Sequence, residues 1–238
     1  MPEASMPMKI TEALSLTEED YLKAIYHLEQ DQIFKNEQQG VSTNDIARKI
    51  DLSAASVSDM IKKLAQKSLL HYVKYQGVTL TDEGRRHAIY LIRKHRLWET
   101  FLVEKLRFAW DEVHEIAEQL EHIHSVALVA RLDEFLGYPR FDPHGDPIPN
   151  EAGEIVEQHA RTSLRQAPIG QALQVVAVRE NSPEFLQYLN RLGINLDTRL
   201  EVLEHVAYDL SLRVSIEQSA AQTLTHEVAE NIFITPIA

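Results

Sequence analysis

The segment HEIAEQLEHIHS, residues 114–125, concentrates side chains that bind metal ions. On a helix, positions i, i+4, i+7 and i+8 project from one face. Imidazole nitrogens and carboxylate oxygens on such a face are ligands for a divalent cation. Carboxylates stacked one turn apart repel each other, and a bound cation would offset that repulsion. The spacing predicts a metal site of His114, Glu118, Glu121 and His122, with His124 off the shared face.

A second pair with the same spacing lies upstream, where His95 and Glu99 stand at i and i+4. The chain contains no cysteine, so histidine and carboxylate are its only strong metal ligands. One alternative is that an acidic protein simply exposes these charged helix faces to solvent. Another is that the protein binds an organic ligand between its helices and uses the carboxylates only as surface.

Charge is distributed unevenly along the chain, which is acidic overall with a formal net charge of -12. Residues 41–79 carry six basic side chains against three acidic ones, so the remainder is strongly acidic. The DNA backbone favours Lys and Arg. This asymmetry indicates one region that meets a polyanion within an otherwise acidic protein.

Common enzyme and membrane signatures are absent from the sequence. It contains no HExxH, no GxSxG elbow and no glycine-rich phosphate loop after a strand, and its eight glycines offer few places for a substrate loop. No run of about 18 uncharged apolar residues occurs, and the N-terminus lacks the basic start and apolar core of a signal peptide. We expect a cytoplasmic protein that is not an enzyme and has no membrane partner.

The elements that position these residues begin after a tail, residues 1–15, that we expect to be disordered. Thr17 is the predicted N-cap of a first helix, whose apolar positions repeat from Tyr21 to Leu28. A polar loop is predicted from Gln30 to Gly40. Two short helices capped by Ser or Thr then follow, joined by a tight turn, which is typical of a helix-turn-helix.

A hairpin is predicted directly after these helices, because apolar and polar residues alternate on either side of Gln76-Gly77. A helix-turn-helix followed by a hairpin is a winged helix, although an ordinary helix-hairpin unit with a basic solvated face is the alternative. In a winged helix, the second helix enters the major groove and the wing reaches phosphates. The residues expected to face DNA are Ser42, Thr43, Ser53, Ala54, Ser56, Ser58, Lys62, Lys63, Lys74, Tyr75 and Gln76.

Three helical stretches follow the hairpin. Thr81 is the predicted cap of a long helix over residues 82–106, and Trp110 and Asp111 introduce another that runs to about Ile123. The third is SVALVARLDEFLG, residues 125–137. Because these helices are too few for an independent bundle, we infer that they pack against a second copy of the chain.

The C-terminal third differs in composition from the helical part. The segment FDPHGDPIPNEAGE predicts a rigid loop, and the chain up to about Ala167 is expected to be a linker. Short β-rich runs follow it, interrupted by one helical insert, SPEFLQYLNRLGI. The pattern predicts a small β-barrel after the helical body.

Taken in order, six segments resemble the diphtheria toxin repressor and manganese transport regulator family of metal-dependent bacterial repressors. They are EEDYLKAIY, SAASVSDMIKKL, GVTLTDEGRRHA, RKHRLWE, VHEIAEQLEHIHS and PHGDPIP. The resemblance covers the chain from Leu16 to its end. It implies a mainly α protein with a small β part: an N-terminal winged helix, a helical dimerisation domain and a C-terminal SH3-like barrel of the type found in ferrous transport proteins. The implied boundaries are 16–84, 85–152, a linker over 153–167, and 168–238.

The resemblance also implies two metal sites. The principal site would combine Asp20 with Glu118, Glu121 and His122. The second would use His95, Glu99 and His114, with Glu180 of the barrel as a candidate further ligand.

Three departures from family patterns bear on the metal. Position 118 holds Glu where iron sensors usually carry Cys, and position 20 holds Asp where they usually carry Met. Both changes replace sulfur by hard oxygen, which favours Mn²⁺. Lys23 stands where short two-domain manganese regulators carry a further Glu, which argues against their closely spaced two-metal arrangement.

The sequence thus predicts a homodimeric, Mn²⁺-dependent repressor of metal-uptake genes, in which the ion orders the dimer for a palindromic double-stranded operator. Two alternatives remain: a repressor of the same fold that responds to Fe²⁺, and a winged-helix regulator that senses an organic ligand.

Overall fold

The computed structural model describes residues 14–34, 40–73, 76–155 and 162–237. The chain divides into two compact units. The first comprises Met1–His95, Leu120–His124 and Pro149–Ile155, and the second comprises Arg96–Gln119, Ser125–Ile148 and Val156–Ala238. Within the described ranges, no helix is both long and apolar enough to cross a membrane.

The first helix, α1, spans Leu16–Phe34. A capping box begins it, because the Ser15 N–H donates to Glu18 Oε2 at 2.9 Å and the Glu18 N–H donates to Ser15 Oγ at 3.4 Å. The prediction of Thr17 as N-cap was therefore wrong by two residues. The predicted loop from Gln30 was also wrong at its start, since residues 30–34 continue the helix. Residues 35–39 of that loop lie outside the described residues.

The helix-turn-helix forms as predicted. Helix α2 spans Thr43–Lys49 after its N-cap Ser42, and helix α3 spans Ala54–Gln66 after its N-cap Ser53. Each cap hydroxyl accepts the backbone N–H three residues ahead. Apolar side chains of α1, α2, α3 and the hairpin share one buried core, in which α3 contributes Val57, Ile61 and Leu64.

Strands β1, Leu70–Val73, and β2, Gly77–Leu80, pair antiparallel and complete the winged helix. Gly77 has φ +94°, and a Cβ there would lie 2.4 Å from the Gly40 carbonyl oxygen, so only glycine fits. The wing residues Lys74 and Tyr75 lie outside the described residues.

Helix α4 spans Asp82–Glu104, beginning in the first unit and ending in the second. Thr81 Oγ1 accepts the Gly84 N–H at 3.0 Å, which confirms the predicted cap. In the first unit, Glu29 of α1 accepts the Leu80 N–H and an Arg85 hydrogen bond, so one carboxylate joins α1 to β2 and to the start of α4.

Two shorter helices follow α4 along the chain, α5, His114–Leu120, and α6, Val126–Phe135. The predicted helix from Trp110 to Ile123 was too long at both ends. Its first residues form a turn, in which the Glu112 N–H donates to the Ala109 carbonyl. Leu120 ends the helix, and the next two residues form a turn.

The barrel is a six-stranded antiparallel sheet with the strand order β3-β8-β4-β5-β6-β7. Its strands are β3 Thr162–Ser163, β4 Ala172–Val178, β5 Arg199–His205, β6 Leu212–Ile216, β7 Gln222–Leu224 and β8 Ile232–Pro236. Helices α7, Pro183–Leu192, and α8, His226–Glu230, interrupt it, the first where the helical insert was predicted.

The barrel begins inside the stretch predicted as a linker. Thr162 and Ser163 pair with β8, and Leu164 is fully buried in the barrel core. Trp110 belongs to the same core, and its Nε1–H donates to Asn190 Oδ1 at 2.8 Å. Within the second unit, the segment before α5 is therefore packed against the barrel.

Candidate metal centres and DNA-binding surface

A cluster of three potential ligands lies within the first unit. One ligand atom each from Asp20, Glu121 and His122 lies within 4.8 Å of the others. His122 Nε2 and Asp20 Oδ1 are 3.1 Å apart. Ligand atoms bound at right angles about 2.1 Å from a metal ion lie roughly 3 Å apart, so this pair fits adjacent coordination positions. We call Asp20, Glu121 and His122 the first cluster.

Helix α1 supplies Asp20, whereas Glu121 and His122 lie in the turn after α5. Glu121 is buried and accepts two hydrogen bonds from Lys23 Nζ, at 2.8 and 2.9 Å. His95 Nδ1 donates to the same carboxylate at 2.5 Å. Burial raises the pKa of Glu121, but the His95 hydrogen bond and the Lys23 charge more than offset it, so the net pKa is lowered. Glu121 is therefore held as an anion beside the ammonium group of Lys23.

The single helical face expected for four ligands does not form, because α5 ends before two of them. His114 and Glu118 do lie on α5, in the second unit, with His114 Nε2 3.4 Å from Glu118 Oε1. The hydrogen bonds to Glu118 and then to Glu99 raise the pKa of His114 to about 9. Glu118 is exposed to solvent.

A second cluster, Glu99, Asp142 and His144, lies entirely within the second unit and is buried. Each residue again offers one ligand atom within 4.8 Å of the other two. His144 Nδ1 is buried, has no hydrogen-bond partner among the described residues and lies 3.6 Å from Glu99 Oε2. An imidazole nitrogen in this position, between buried carboxylates, suits a cation.

The electrostatics of the second cluster also favour a cation. Burial, with the nearby carboxylates of Asp146 and Glu99, raises the pKa of Asp142 to about 7, although Arg96 and His144 oppose this. Burial lowers the pKa of His144, but Glu99 and Asp142 outweigh it and raise this pKa to about 9. A proton is thus held among these groups in the metal-free protein, and a metal ion would displace it.

The loop predicted as rigid positions Asp142 and His144. Asp142 Oδ1 accepts the backbone N–H groups of His144 and Asp146, each at 2.9 Å. Gly145 has φ +84°, and a Cβ there would lie 2.2 Å from the Val176 carbonyl oxygen of β4. The Val178 N–H donates to the His144 carbonyl at 3.0 Å. The loop is therefore bonded directly to the barrel.

Glu180, the candidate barrel ligand, follows β4 and is exposed. Its carboxylate accepts the Ser182 hydroxyl at 2.7 Å. In the described part of the chain it belongs to neither cluster. His95 lies in the first unit, bonded to Glu121, and Glu99 and His114 lie in the second unit, 3.4 Å apart.

Sequence reasoning missed three residues of these clusters and their surroundings. Asp142 and His144 stand in a Pro- and Gly-rich loop, where helical periodicity gives no signal. The spacing Asp-x-His before a glycine was the available clue. His124 was set aside, yet its Nδ1 lies 3.7 Å from Glu19 Oε1 in the first unit.

The predicted DNA-facing residues of α2, α3 and the wing occupy the surface of the first unit. Ser42, Ser53, Ala54, Ser56, Lys62, Lys63 and Gln76 are exposed, and Thr43 and Ser58 are half-buried. The two lysines differ in their partners. Lys62 lies 3.0 Å from exposed Asp59, whereas Lys63 lies 3.1 Å from Glu18, which is buried at the start of α1.

Lys67 also contacts Glu18, at 3.0 Å, so α1 and α3 are joined by charge as well as by apolar packing. Burial raises the pKa of Glu18, but the Ser15 backbone and the two lysines lower it to about 2. Asp20 of the first cluster lies on the same turn of α1 as this contact.

A winged helix with clusters of oxygen and nitrogen ligands defines a metal-responsive DNA-binding protein. Three family models match the chain. The N-terminal DNA binding domain of the iron dependent repressors matches residues 13–78, and the metal binding and dimerisation domain of the same repressors matches residues 81–150. The FeoA domain matches residues 162–236. Together they match the predicted three-part organisation in its order.

Known proteins agree with these matches. A solved structure described as a manganese-dependent transcriptional repressor in complex with manganese is 39% identical, with a TM-score of 0.79, and the alignment covers 92% of this chain and all of that one. The manganese regulator SloR is 35% identical, with a TM-score of 0.73, over 92% of this chain and 98% of that one. The iron-dependent repressor IdeR of Mycobacterium tuberculosis (strain ATCC 25618 / H37Rv) is 29% identical over 93% of this chain and 97% of that protein.

The chain belongs to the diphtheria toxin repressor family of metal-dependent transcriptional repressors. That family consists of transcriptional repressors. The predicted fold class, a winged helix followed by helices and an SH3-like barrel, is confirmed.

Proposed function

We propose that this protein represses metal-uptake genes in response to Mn²⁺. The observation that carries the proposal is the first cluster, where Asp20, Glu121 and His122 present only oxygen and nitrogen to a common point. Mn²⁺ favours such hard ligands, and the chain has no cysteine to offer a softer metal. The similarity to repressors described as manganese-dependent supports the same choice.

Fe²⁺ is the second candidate ion. It accepts the same ligands, and both the family models and IdeR are described as iron-dependent. Oxygen and nitrogen donors alone discriminate weakly between the two ions. The choice of Mn²⁺ over Fe²⁺ is therefore supported by Glu118 and Asp20, which stand where the iron branch usually carries sulfur.

We assign the ligands to two centres. The first comprises Asp20, Glu121 and His122, with Glu118 added by family resemblance. The second centre comprises Glu99, Asp142 and His144, and the burial and convergence of these side chains support this assignment. The family resemblance adds His95, His114 and Glu180 to the second centre. The domain boundaries 16–84 and 85–152 remain part of the proposal, and the barrel is proposed to begin at Thr162 rather than at residue 168.

We further propose that the protein acts as a homodimer on a palindromic operator, in the cytoplasm where chromosomal DNA is read. The second unit exposes several large apolar side chains that a second copy would cover, namely Leu106, Phe108, Val126, Leu128, Phe135 and Tyr138. In each subunit α3 would enter the major groove, and the wing would contact phosphates.

The ion regulates only if it binds one placement of the winged helices better than another. The first cluster is suited to this because Asp20 shares the first turns of α1 with Glu18, which holds Lys63 and Lys67 of α3. An ion that draws Asp20 toward Glu121 and His122 therefore acts on the helix that contacts the recognition helix. Ordinary coupling would tighten operator binding roughly 5- to 150-fold per site.

Operator selection tests the proposal. Chelator-stripped protein is incubated with a random DNA pool at fixed salt under anaerobic conditions, with Mn²⁺, with Fe²⁺ or with no metal. Selection of a palindrome only with Mn²⁺ is expected. If a palindrome is selected only with Fe²⁺, the protein senses iron and not manganese. If the protein binds DNA equally well without metal, a regulator that senses an organic ligand is favoured.

A further inference from the structure

Glu19 is a buried carboxylate beside the first cluster that no ligand set includes. His122 Nδ1–H donates to its Oε2 at 2.6 Å. Its Oε1 lies 3.7 Å from His124 Nδ1 and 3.9 Å from Lys94 Nζ. Consecutive residues of α1 thus contact the two nitrogens of one imidazole: Glu19 contacts Nδ1, and Asp20 contacts Nε2 at 3.1 Å.

This arrangement fixes where the proton of a neutral His122 resides. A carboxylate only accepts hydrogen bonds, so Glu19 requires a hydrogen on Nδ1. A neutral imidazole carries one N–H, and its Nε2 lone pair then faces Asp20. Two lone pairs 3.1 Å apart repel unless a cation lies between them.

Lys94 compensates the buried charge of Glu19. Its side chain is 1% exposed, and its ammonium lies 5.4 Å from the centre of the Tyr90 ring. Burial lowers the pKa of Lys94, whereas the charges of Glu19 and Glu121 oppose that shift. Glu19 therefore has a charged neighbour of its own, apart from the ligands of the first cluster.

We propose that Glu19 is a positioning residue that holds His122 in the Nδ1–H tautomer and so aims Nε2 at the metal. This inference rests on the proposed function, since it concerns the same centre. A carboxylate that accepts the second N–H of a ligating histidine fixes the ring and raises its basicity, and losing such a partner usually lowers metal affinity 10- to 100-fold.

The test compares Glu19→Gln with Glu29→Gln in the full-length protein. Glu29 is a matched control, because it is also a buried glutamate of α1 with hydrogen-bonded partners, Leu80 and Arg85, away from the cluster. The amide introduced by Glu19→Gln could donate or accept, so it would no longer force the tautomer. We expect Mn²⁺ affinity, measured by competition with a chelator, to fall 10- to 100-fold for Glu19→Gln and to stay within about threefold for Glu29→Gln.

Nitrogen-15 NMR of the histidines in metal-free protein supplies a readout that general destabilisation would not move. The His122 signals, assigned with His122→Gln, should show protonated Nδ1 in the wild type and in Glu29→Gln at a pH where the ring is neutral. In Glu19→Gln, protonated Nε2 should appear. Glu19→Gln leaves the charge of Lys94 uncompensated, and the variant could fail to fold for that reason. The double variant Glu19→Gln/Lys94→Met then restores the balance of charge, and protonated Nε2 of His122 should appear in it as well.

Unchanged affinity and an unchanged Nδ1–H tautomer in the folded variant would overturn the role of Glu19. Failure of the wild type to bind Mn²⁺ or Fe²⁺ would instead overturn the proposed function. The tautomer in metal-free protein would still decide whether Glu19 orients the ring, so the two failures are distinguishable.

Discussion

The two ligand clusters differ in burial and in what they are attached to. In the first, the Asp20 side chain is 51% exposed and lies on the helix that contacts the recognition helix through Glu18. In the second, Glu99 and His144 are each 1% exposed, and the loop is bonded to the barrel. An exposed ligand on a helix that contacts the DNA-reading element suits a sensor. A buried set on a rigid loop suits a stabilising ion that exchanges slowly.

The largest effect should come from removing a ligand of the first cluster. Asp20→Asn keeps the side-chain shape but loses a charged oxygen ligand, so Mn²⁺ should no longer tighten operator binding. The loss should amount to roughly 5- to 150-fold per site in the ratio of operator Kd without and with Mn²⁺. Asp31→Asn, an exposed aspartate on the same helix, is the control. If Mn²⁺ still tightened operator binding fully in Asp20→Asn, the first cluster would not be the metal-sensing site.

Glu99→Gln should have a smaller effect on DNA binding and a clear effect on stability. The variant loses a buried carboxylate that contacts His144 and His114, so one ion per subunit should be lost. An ion at about 100 times its Kd stabilises a protein by ~2.7 kcal/mol, and this increment should disappear from Mn²⁺-dependent thermal unfolding. Glu104→Gln, exposed at the end of the same helix, should retain it. Should Glu99→Gln abolish the operator response as fully as Asp20→Asn, the contrast between the clusters would fail.

The contact of α1 with α3 should have its own pH dependence. The folded-state pKa of Glu18 is lowered from 4.5 to about 2, so its stabilisation is complete above pH 4.5 and is lost as the pH falls toward 2. Glu18→Gln should lower the free energy of unfolding at pH 7 by about 1.5–3 kcal/mol, the range for hydrogen bonds to charged groups. Denaturant unfolding of metal-free protein from about pH 7 to 3 should show the gap narrowing below pH 4.5. A gap that is constant with pH would contradict the ionised contact.

The smallest effect separates two neighbouring lysines of α3. Lys62 forms an ion pair with exposed Asp59, whereas Lys63 forms one with buried Glu18. If Lys62 binds a phosphate, Lys62→Gln should lower the salt slope of operator binding by about 1, and Lys63→Gln should lower it less. Equal slopes in both variants would show that the Glu18 contact does not withhold Lys63 from DNA.

The fold was largely predictable because its signals are local. Ser42, Ser53 and Thr81 cap helices at the positions where their hydroxyls were expected to act. Helix ends were less predictable, as α5 shows. Its charged pattern continues beyond Leu120, but the chain turns there, and no local residue type forbids further helix.

The ligand sets were predictable only where the resemblance or a helical period pointed to them. Asp20 came from the resemblance, since an aspartate in the first turns of a helix is otherwise an ordinary N-terminal residue. Asp142 and His144 escaped both arguments, because an irregular loop brings them to Glu99, more than forty positions away in the sequence. Tertiary structure alone reveals such convergence.

The most direct test of the central claim, that ion and operator are coupled through the first cluster, is the Mn²⁺ affinity of the protein with and without saturating operator DNA. Linkage requires DNA to tighten Mn²⁺ by the same factor by which Mn²⁺ tightens DNA. The account predicts equal factors of roughly 5- to 150-fold per site in the wild type and a factor near one in Asp20→Asn. An Mn²⁺ affinity that is the same with and without DNA in the wild type would contradict it.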